Sequence, residues 1–466
     1  MRKENNFVHP YIPNSVHDVR ENMMEEIGIK DIDELYSDIP EKLRFRGKMN
    51  LPVPLTSEYL LKRHIEQVLS KNKTCQEYIS FLGGGCWQHY VPAICNVINQ
   101  RSEFLTAYAG EPYEDHGRFQ ALFEYASMMG ELLEMDVVSV PTFDWAQAAS
   151  TSIKMATRIT DRTEILISSR ISPSKLSVIR NYCKPKIKME EIKHNNDTGL
   201  IDLNEVKEKI SSKTAAIYFE NPSYLGCIED KSEDISNIAH KFGALSIVGV
   251  DPISLGILNP PSRYGADIVC GELQPLGIYM QYGGGLAGFI ATRDEERFVM
   301  EYPSRLFGIT PTSKQREYGF GDVAYERTSF AKREKGKEFI GTATALWGIT
   351  AGVYLALLGP RGMQEIGKCI LQKTQYAMKK ISKINGIRIP SYSTSYFKDF
   401  IVDFKNTGKT IKEINSGLLE KKIMGGKSIS EEFCELEEIA LYSVTEIHTK
   451  EDIDKLVNAL DEIIGK

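Results

Sequence analysis

The chain lacks the signatures of several large protein classes. Its eight cysteines, at 75, 86, 95, 183, 227, 270, 369 and 434, include no C-x-x-C pair, so neither a zinc cluster nor a dithiol redox motif is written here. Reduced, mostly buried thiols are the expectation. The eight histidines show no ligand spacing, and no metal is proposed. No apolar run approaches the roughly 20 residues that a bilayer span needs. The longest stretch, Ala343 to Leu358, carries Thr, Gly and Tyr and reads as a buried helix. The opening Met1-Arg-Lys-Glu-Asn-Asn-Phe7 has no apolar core of a secretory signal, and a cytoplasmic location is expected. A formal charge of −6 with no long basic run argues against nucleic acid as a main partner. The run Lys332-Arg-Glu-Lys-Gly-Lys337 is mixed in sign and reads as a solvated helix start. The most telling scarcity concerns lysine: between His240 and Lys314 there is only Lys241.

At 466 residues, the chain is too long for one compact core, and a large domain with a smaller one is the natural division. The composition, 42% hydrophobic and 26% charged, is that of an ordinary globular protein. Residues 1–80 read as a polar helical arm. Val16 to Ile27 places apolar residues three and four apart before a helix stop at Gly28, and Ser57 caps an amphipathic helix running towards Asn72. Residues 81–330 read as a large α/β domain. Strand-like runs at Thr163–Ser168, Ala215–Phe219, Ala244–Val250, Ala266–Gly271 and Leu286–Ile290 alternate with helical candidates at Ala146–Arg158, Ser174–Tyr182 and Ile235–Phe242. Continuous apolar strands alternating with helices predict a mostly parallel sheet covered on both faces. Residues 331–466 read as a long helix, from about 338 to 358 and ending at Gly359-Pro360, followed by a small α+β domain. Its strands are expected at Ile387–Pro390 and Phe400–Phe404, and its last helix at Glu451–Ile464.

The lysine gap falls where it carries chemical meaning. Asp251 closes one strand, and the next leads into Glu272-Leu-Gln-Pro-Leu-Gly277. In aspartate-aminotransferase-like folds, a carboxylate at the end of one strand pairs with the pyridinium nitrogen of pyridoxal phosphate, and a lysine past a later strand forms the Schiff base. Here the second slot holds Gln274, whose carboxamide cannot condense with an aldehyde. The chain therefore looks like half of an active site, with Asp251 either a vestigial contact or the plain Asp-Pro turn its sequence also allows. Asp144-Trp-Ala-Gln-Ala148 opens a helix, and capping alone explains the Asp. A phosphate at that helix start needs small residues, so Trp145 predicts that its place is filled. Gly83-Gly-Gly85 lacks the Lys-Ser/Thr of a P-loop and reads as a structural turn, and Gly283-Gly-Gly285 as a place where backbone passes close to another element or faces a partner's cofactor site. The loop Tyr108 to Arg118 is dense in acid–base groups, among them Tyr108, Glu111, Tyr113 and His116.

Motifs spread over nearly the whole chain resemble the glycine cleavage system P-protein family, in the form of the first subunit of the two-subunit glycine dehydrogenase (decarboxylating). They include Tyr11-Ile-Pro-Asn14 with Ile32-Asp-Glu-Leu-Tyr36, Phe81-Leu-Gly-Gly-Gly85 with His89-Tyr-Val-Pro-Ala93, and Asp251-Pro-Ile-Ser-Leu-Gly256. Further pieces are Tyr264-Gly-Ala-Asp-Ile-Val269, Gln274-Pro-Leu-Gly277, Arg333-Glu-Lys335, Val353 to Pro360 and Thr449 to Asp454. The resemblance implies the pyridoxal-phosphate-dependent transferase fold type I. It implies that the cofactor is bound by a lysine-bearing second subunit, in a heterotetramer, while this chain shapes the shared pocket through Tyr108, Glu111, Tyr113 and His116. The reaction it implies decarboxylates glycine, passes the aminomethyl group to the lipoyl arm of the H-protein and releases carbon dioxide. Three stretches depart from the family pattern: 108–117, 143–148 (where Phe143-Asp-Trp replaces smaller residues) and 336–339. A paralogue with another amino-acid substrate, a passive subunit that has drifted, and a non-catalytic scaffold all remain open on these residues.

Overall fold

The computed structural model describes residues 8, 11–12, 15–104, 116–338, 343–389 and 391–465, with the side chains of 116 and 117 left aside. The chain divides into two units, Met1–Asn72 and Lys73–Lys466.

In the first unit the local signals act as the sequence predicts. The helix His17–Ile27 ends where Gly28 takes a left-handed conformation, and Glu58–Leu69 begins where the Ser57 side chain accepts the Leu60 N–H. Between them Asp31 and Glu34 form a reciprocal capping box over the short turn Ile32–Tyr36. No described residue of this unit is buried.

The second unit is entered through β1 (Ile79–Ser80). Its centre is a sheet of β2 (Val137–Val138), β3 (Glu164–Ser168), β4 (Lys188–Ile192), β5 (Thr214–Glu220), β6 (Leu245–Val250), β7 (Ile268–Glu272) and β8 (Gly288–Thr292). The spatial order is β2-β8-β7-β6-β5-β3-β4, parallel from β7 across to β4, with β8 antiparallel to both of its neighbours. Every residue of β5, β6 and β7 is buried, which is why they read as unbroken apolar runs. Helix Trp145–Thr160 covers one face, packing Ala148, Ala149 and Ile153 with Ile165, Ile167 and Ile247. The other face packs Val248, Val250 and Phe289 with Met129, Tyr354 and Leu355. Two short strands, β9 (Phe307–Pro311) and β10 (Tyr318–Asp322), form an antiparallel hairpin. The small sheet consists of β11 (Asp399–Asp403), β13 (Lys427–Ser428) and β14 (Ile439–Ser443), while β12 (Ile423–Met424) pairs in parallel with β1. A separate hydrophobic cluster lies beneath it, with Phe400, Ile401, Leu441, Leu456 and Leu460 among its members. The whole is the expected α/β architecture.

Two expectations change. The long helix does not stop at Gly359-Pro360: it runs Ala345–Ile381, broken only at Gly359 (φ 59°, ψ −177°). Gly359 supplies the one non-helical residue, and Pro360 then starts a fresh helical turn, where its missing N–H costs nothing. Ile387–Pro390 is not a strand. One isolated bridge, Arg388 to Asp403, joins it to β11, and Pro390 lies outside the described residues. Among the described residues, no helix is long and apolar enough to cross a membrane.

Candidate functional site

The parallel strands deliver their carboxyl ends to one side of the sheet, where open α/β sheets gather ligands. A cavity of about 380 Å³ lies there, lined by Ser172 and Lys175 beyond β3, Glu220 at the end of β5, Asp251 after β6 and Glu272 at the end of β7. The glycine-rich loop from Gly83 to Trp87 and the segment Phe397–Asp399 complete the wall.

Gln274 is wholly committed. Its Oε1 accepts the Trp87 N–H at 3.0 Å, and its Nε2 donates to the carbonyls of Trp87 (2.9 Å) and Ile278 (3.0 Å). The carboxamide, with one acceptor and two donors, thereby sews the glycine-rich loop to the segment after β7. A lysine there would leave the Trp87 N–H without its acceptor.

Asp251 is both a turn residue and a charge partner. Its Oδ1 accepts the Ile253 N–H, capping the short turn Pro252–Gly256. Its Oδ2 lies 2.7 Å from the Nζ of Lys398, a side chain only 1% exposed. Lys398 also lies 3.5 Å from the Trp87 ring centroid and 3.2 Å from His89 Nε2. The other ring nitrogen of His89, Nδ1, meets Glu446 at 2.7 Å. Burial pushes the Glu446 carboxyl up, but the His89 ring and the Tyr90 N–H outweigh it and hold it at about 2. Next in the chain, Asp399 accepts both hydrogen bonds of the Trp87 indole N–H, at 2.9 and 3.0 Å, and burial raises its carboxyl to about 6. The glycines let this loop come so close: a Cβ on Gly83 would lie 2.5 Å from Asp399 Oδ1. Gly83 serves packing there, while Gly84 and Gly85 take positive φ beside the cavity.

The opposite end of the cavity belongs to Trp145. Asp144 caps its helix through the Gln147 N–H, and the Trp145 N–H donates to Glu272 Oε2 at 3.2 Å. The Trp145 ring lies 3.2 Å beneath Lys175 Nζ, which pairs with Glu220 at 2.6 Å. Trp145 thus takes up the helix start, as its bulk predicts, but it walls the cavity rather than filling it. Glu272 also accepts the N–H groups of Gln274 and Ala287, yet full burial raises its carboxyl to about 8.

These residues do not fit pyridoxal phosphate. The aldehyde meets a carboxamide, the ring nitrogen's counter-ion is neutralised by Lys398, and an indole covers the phosphate position. Lys175 and Lys398 are the other amines at the cavity, and condensation of either would strand a buried carboxylate. What the arrangement does is hold shape: the Gln274 bridge, the Trp87–Asp399 hydrogen bonds and the His89–Glu446 contact fix the loop 83–89 against both sheets.

Of the residues singled out in the sequence, Asp251 and Gln274 come together with Glu272 in this site. Tyr108, Glu111 and Tyr113 lie outside the described residues. His116 opens the helix His116–Leu133, with its side chain also outside them. Gly283 lines the cavity. A Cβ on Gly285 would lie 2.0 Å from the Tyr279 carbonyl, the close backbone passage expected there. Sequence reading missed Lys398, Asp399, His89 and Glu446 as a group. The available signal was the charged pair Lys398-Asp399 at the head of an otherwise apolar strand.

Comparisons with known proteins agree with this geometry. The family model described as "Glycine cleavage system P-protein" matches residues 9–460. A protein of Staphylothermus marinus named "Probable glycine dehydrogenase (decarboxylating) subunit 1" is 41% identical, over 98% of this chain and 99% of that one. Its namesake from Pyrococcus abyssi is 38% identical, over 97% and 99%. A crystal structure of glycine decarboxylase (P-protein) in inhibitor-bound form superposes with a TM-score of 0.83 at 29% identity, covering 98% of this chain and 100% of that one. A Burkholderia pseudomallei sphingosine-1-phosphate lyase, 12% identical with a TM-score of 0.65, covers 92% of this chain and 95% of its own and shares the fold alone. The sheet order, the cavity at its carboxyl edge and this end-to-end similarity place the chain in the glycine cleavage system P-protein family.

Proposed function

We propose that this chain is the subunit without the cofactor lysine in a heteromeric, pyridoxal-phosphate-dependent glycine decarboxylase of the cytoplasm. The observation that carries the reading is the commitment of Gln274 to three hydrogen bonds at the position where the fold otherwise presents an amine. A homologous second subunit supplies that lysine and binds the cofactor, and the pair assembles as a heterotetramer that serves the lipoyl arm of an H-protein. When bound there, the cofactor supplies an electron sink for the carbanion left by loss of carbon dioxide. This chain contributes shape and exclusion of water. Tyr108, Glu111, Tyr113 and His116 are proposed as positioning groups that approach the shared pocket.

The test is co-expression with a lysine-bearing homologue, followed by exchange of labelled carbon dioxide into glycine, with other amino acids in parallel. The expected result is co-purification, exchange with glycine, and an absorbance band near about 420 nm from a lysine-linked cofactor in the pair only. Turnover of another amino acid with glycine inert would make the chain a paralogue with a changed substrate. Failure to bind any such homologue would leave the scaffold reading. Cofactor attached covalently to Lys175 or Lys398 of the isolated chain, seen by peptide mass spectrometry after borohydride reduction, would overturn the proposal.

A further inference from the structure

A second cavity, of about 420 Å³, lies where the large sheet meets the small one. Arg170, two residues past β3, and Asn196, beyond β4, approach from one side. Arg388, Tyr392 and Lys405 approach from the other. None of the residues lining it is shared with the cavity described above.

Arg170 is 6% exposed, yet among the described residues it forms no ion pair. Its guanidinium lies 4.7 Å from the Tyr392 ring centroid, and its Nη1 is buried with no hydrogen-bond partner. The buried Tyr392 hydroxyl also lines the cavity, beside the same guanidinium. Arg388 gives one hydrogen bond, to the Ser391 carbonyl at 2.7 Å, and forms no ion pair among the described residues. Nearby His194 adds no second cation: burial and the Arg170 charge hold it neutral, at about 3, between Ser168 and Ser169. A guanidinium out of water without an anion is among the costliest arrangements in a folded chain. Buried polar groups without partners point to a missing water or ion. One group that accepts several hydrogen bonds and carries negative charge would satisfy Arg170 and Arg388 together.

We infer that this cavity binds a small oxyanion, a carboxylate or orthophosphate, held by Arg170 and completed by Arg388 and the Tyr392 hydroxyl. The planar fork of a guanidinium matches both anions in two-point geometry. Asp403 and Glu435 also line the cavity, so a singly charged anion is preferred over a multiply charged one. They further suit a ligand that carries an ammonium beside its carboxylate. Because Arg170 belongs to the large sheet's margin and Tyr392 to the small sheet's, the anion ties the two together.

The experiment is calorimetric titration of the full chain, alone and with its partner subunit, in chloride buffer at physiological ionic strength. Separate arms use acetate and inorganic phosphate. One saturable site per chain is expected for at least one of them, with a melting temperature that climbs as the site fills. Binding to acetate alone identifies a carboxylate ligand, and binding to phosphate alone a phosphate. In Arg170→Met, affinity should fall at least tenfold and the anion-dependent shift in melting temperature should vanish. Tyr392→Phe, which removes one donor and no charge, should weaken binding several-fold and guards against misfolding of the first variant. No saturable site in either arm, or a site indifferent to both substitutions, would overturn the inference. Neither result bears on glycine turnover, so the two proposals fail separately.

Discussion

The two cavities at the carboxyl edge of the sheet treat buried charge in opposite ways. Around the first, Lys398 answers Asp251, Lys175 answers Glu220, and Gln274 satisfies three backbone groups at once. Around the second, the Arg170 guanidinium packs on Tyr392 and forms no ion pair among the described residues. The first pairs its ammonium groups with carboxylates of its own, although Glu220 Oε2 and the Trp145 indole N–H there keep no hydrogen-bond partner; the second leaves a buried guanidinium without a carboxylate. A charge that is answered internally is expensive to disturb, whereas an unanswered one is expensive to keep.

The largest effect is expected at Lys398. Lys398→Met leaves Asp251 buried without its cation and should cost about 3–5 kcal/mol in urea unfolding. Adding Asp251→Asn should restore most of that loss. A single variant within about 1 kcal/mol of the parent would show that the pair is not what holds the loop, given the usual cost of an uncompensated charge. Gln274→Ala comes next, because it abandons backbone groups of Trp87 and Ile278 inside the core. About 1–3 kcal/mol for each group left unpaired is the expected scale. Gln274→Lys should lose similar stability and gain no absorbance near about 420 nm with added pyridoxal phosphate, since Lys398 and Trp145 still occupy its contacts.

A third test uses pH. Burial raises Glu272 to about 8 and Asp399 to about 6, above the ordinary carboxylate range. A group whose pKa is raised on folding contributes stability that is complete below its unfolded value and is lost as the pH climbs through its folded one. The contribution of Glu272 should therefore fade between about pH 4.5 and pH 8, and Glu272→Gln should flatten that part of the stability curve. A parent curve with no decline across this interval would contradict the assignment. The smallest effect sharpens the comparison from the other side. In anion-free buffer, Arg170→Met should be neutral or gain about 1 kcal/mol, the reverse in sign of Lys398→Met. Loss of several kcal/mol there would mean that Arg170 already has its partner.

Much of the scaffold was legible because its signals are local. Gly28, Ser57 and Asp144 mark helix ends through atoms two to three residues away, and the strands β3, β5, β6 and β7 lie within about two residues of the runs that announce them. The negative half of the site was legible too, since a missing amine at Gln274 is visible as a letter. What replaces the amine was not. Gln274 meets Trp87 across 187 positions, and Asp399 meets Trp87 across 312. No periodicity carries a contact over such separations; only the folded sheets do. The same holds for Arg170, which sequence places at the end of a strand and structure places over Tyr392. The break at Gly359 was visible as a helix stop, but not the helix that resumes on the next residue, because proline signals a beginning as well as an end.

The commitment of Gln274 has a consequence for substitution. A single change to lysine would arrive among neighbours already arranged around an amide: an indole N–H that meets Asp399, an ammonium that holds Asp251, a tryptophan across the helix start. Each step exposes an unmet demand before the last one gives any benefit. A lysine installed alone therefore gains nothing, and the amide is held in place by more than one codon would suggest.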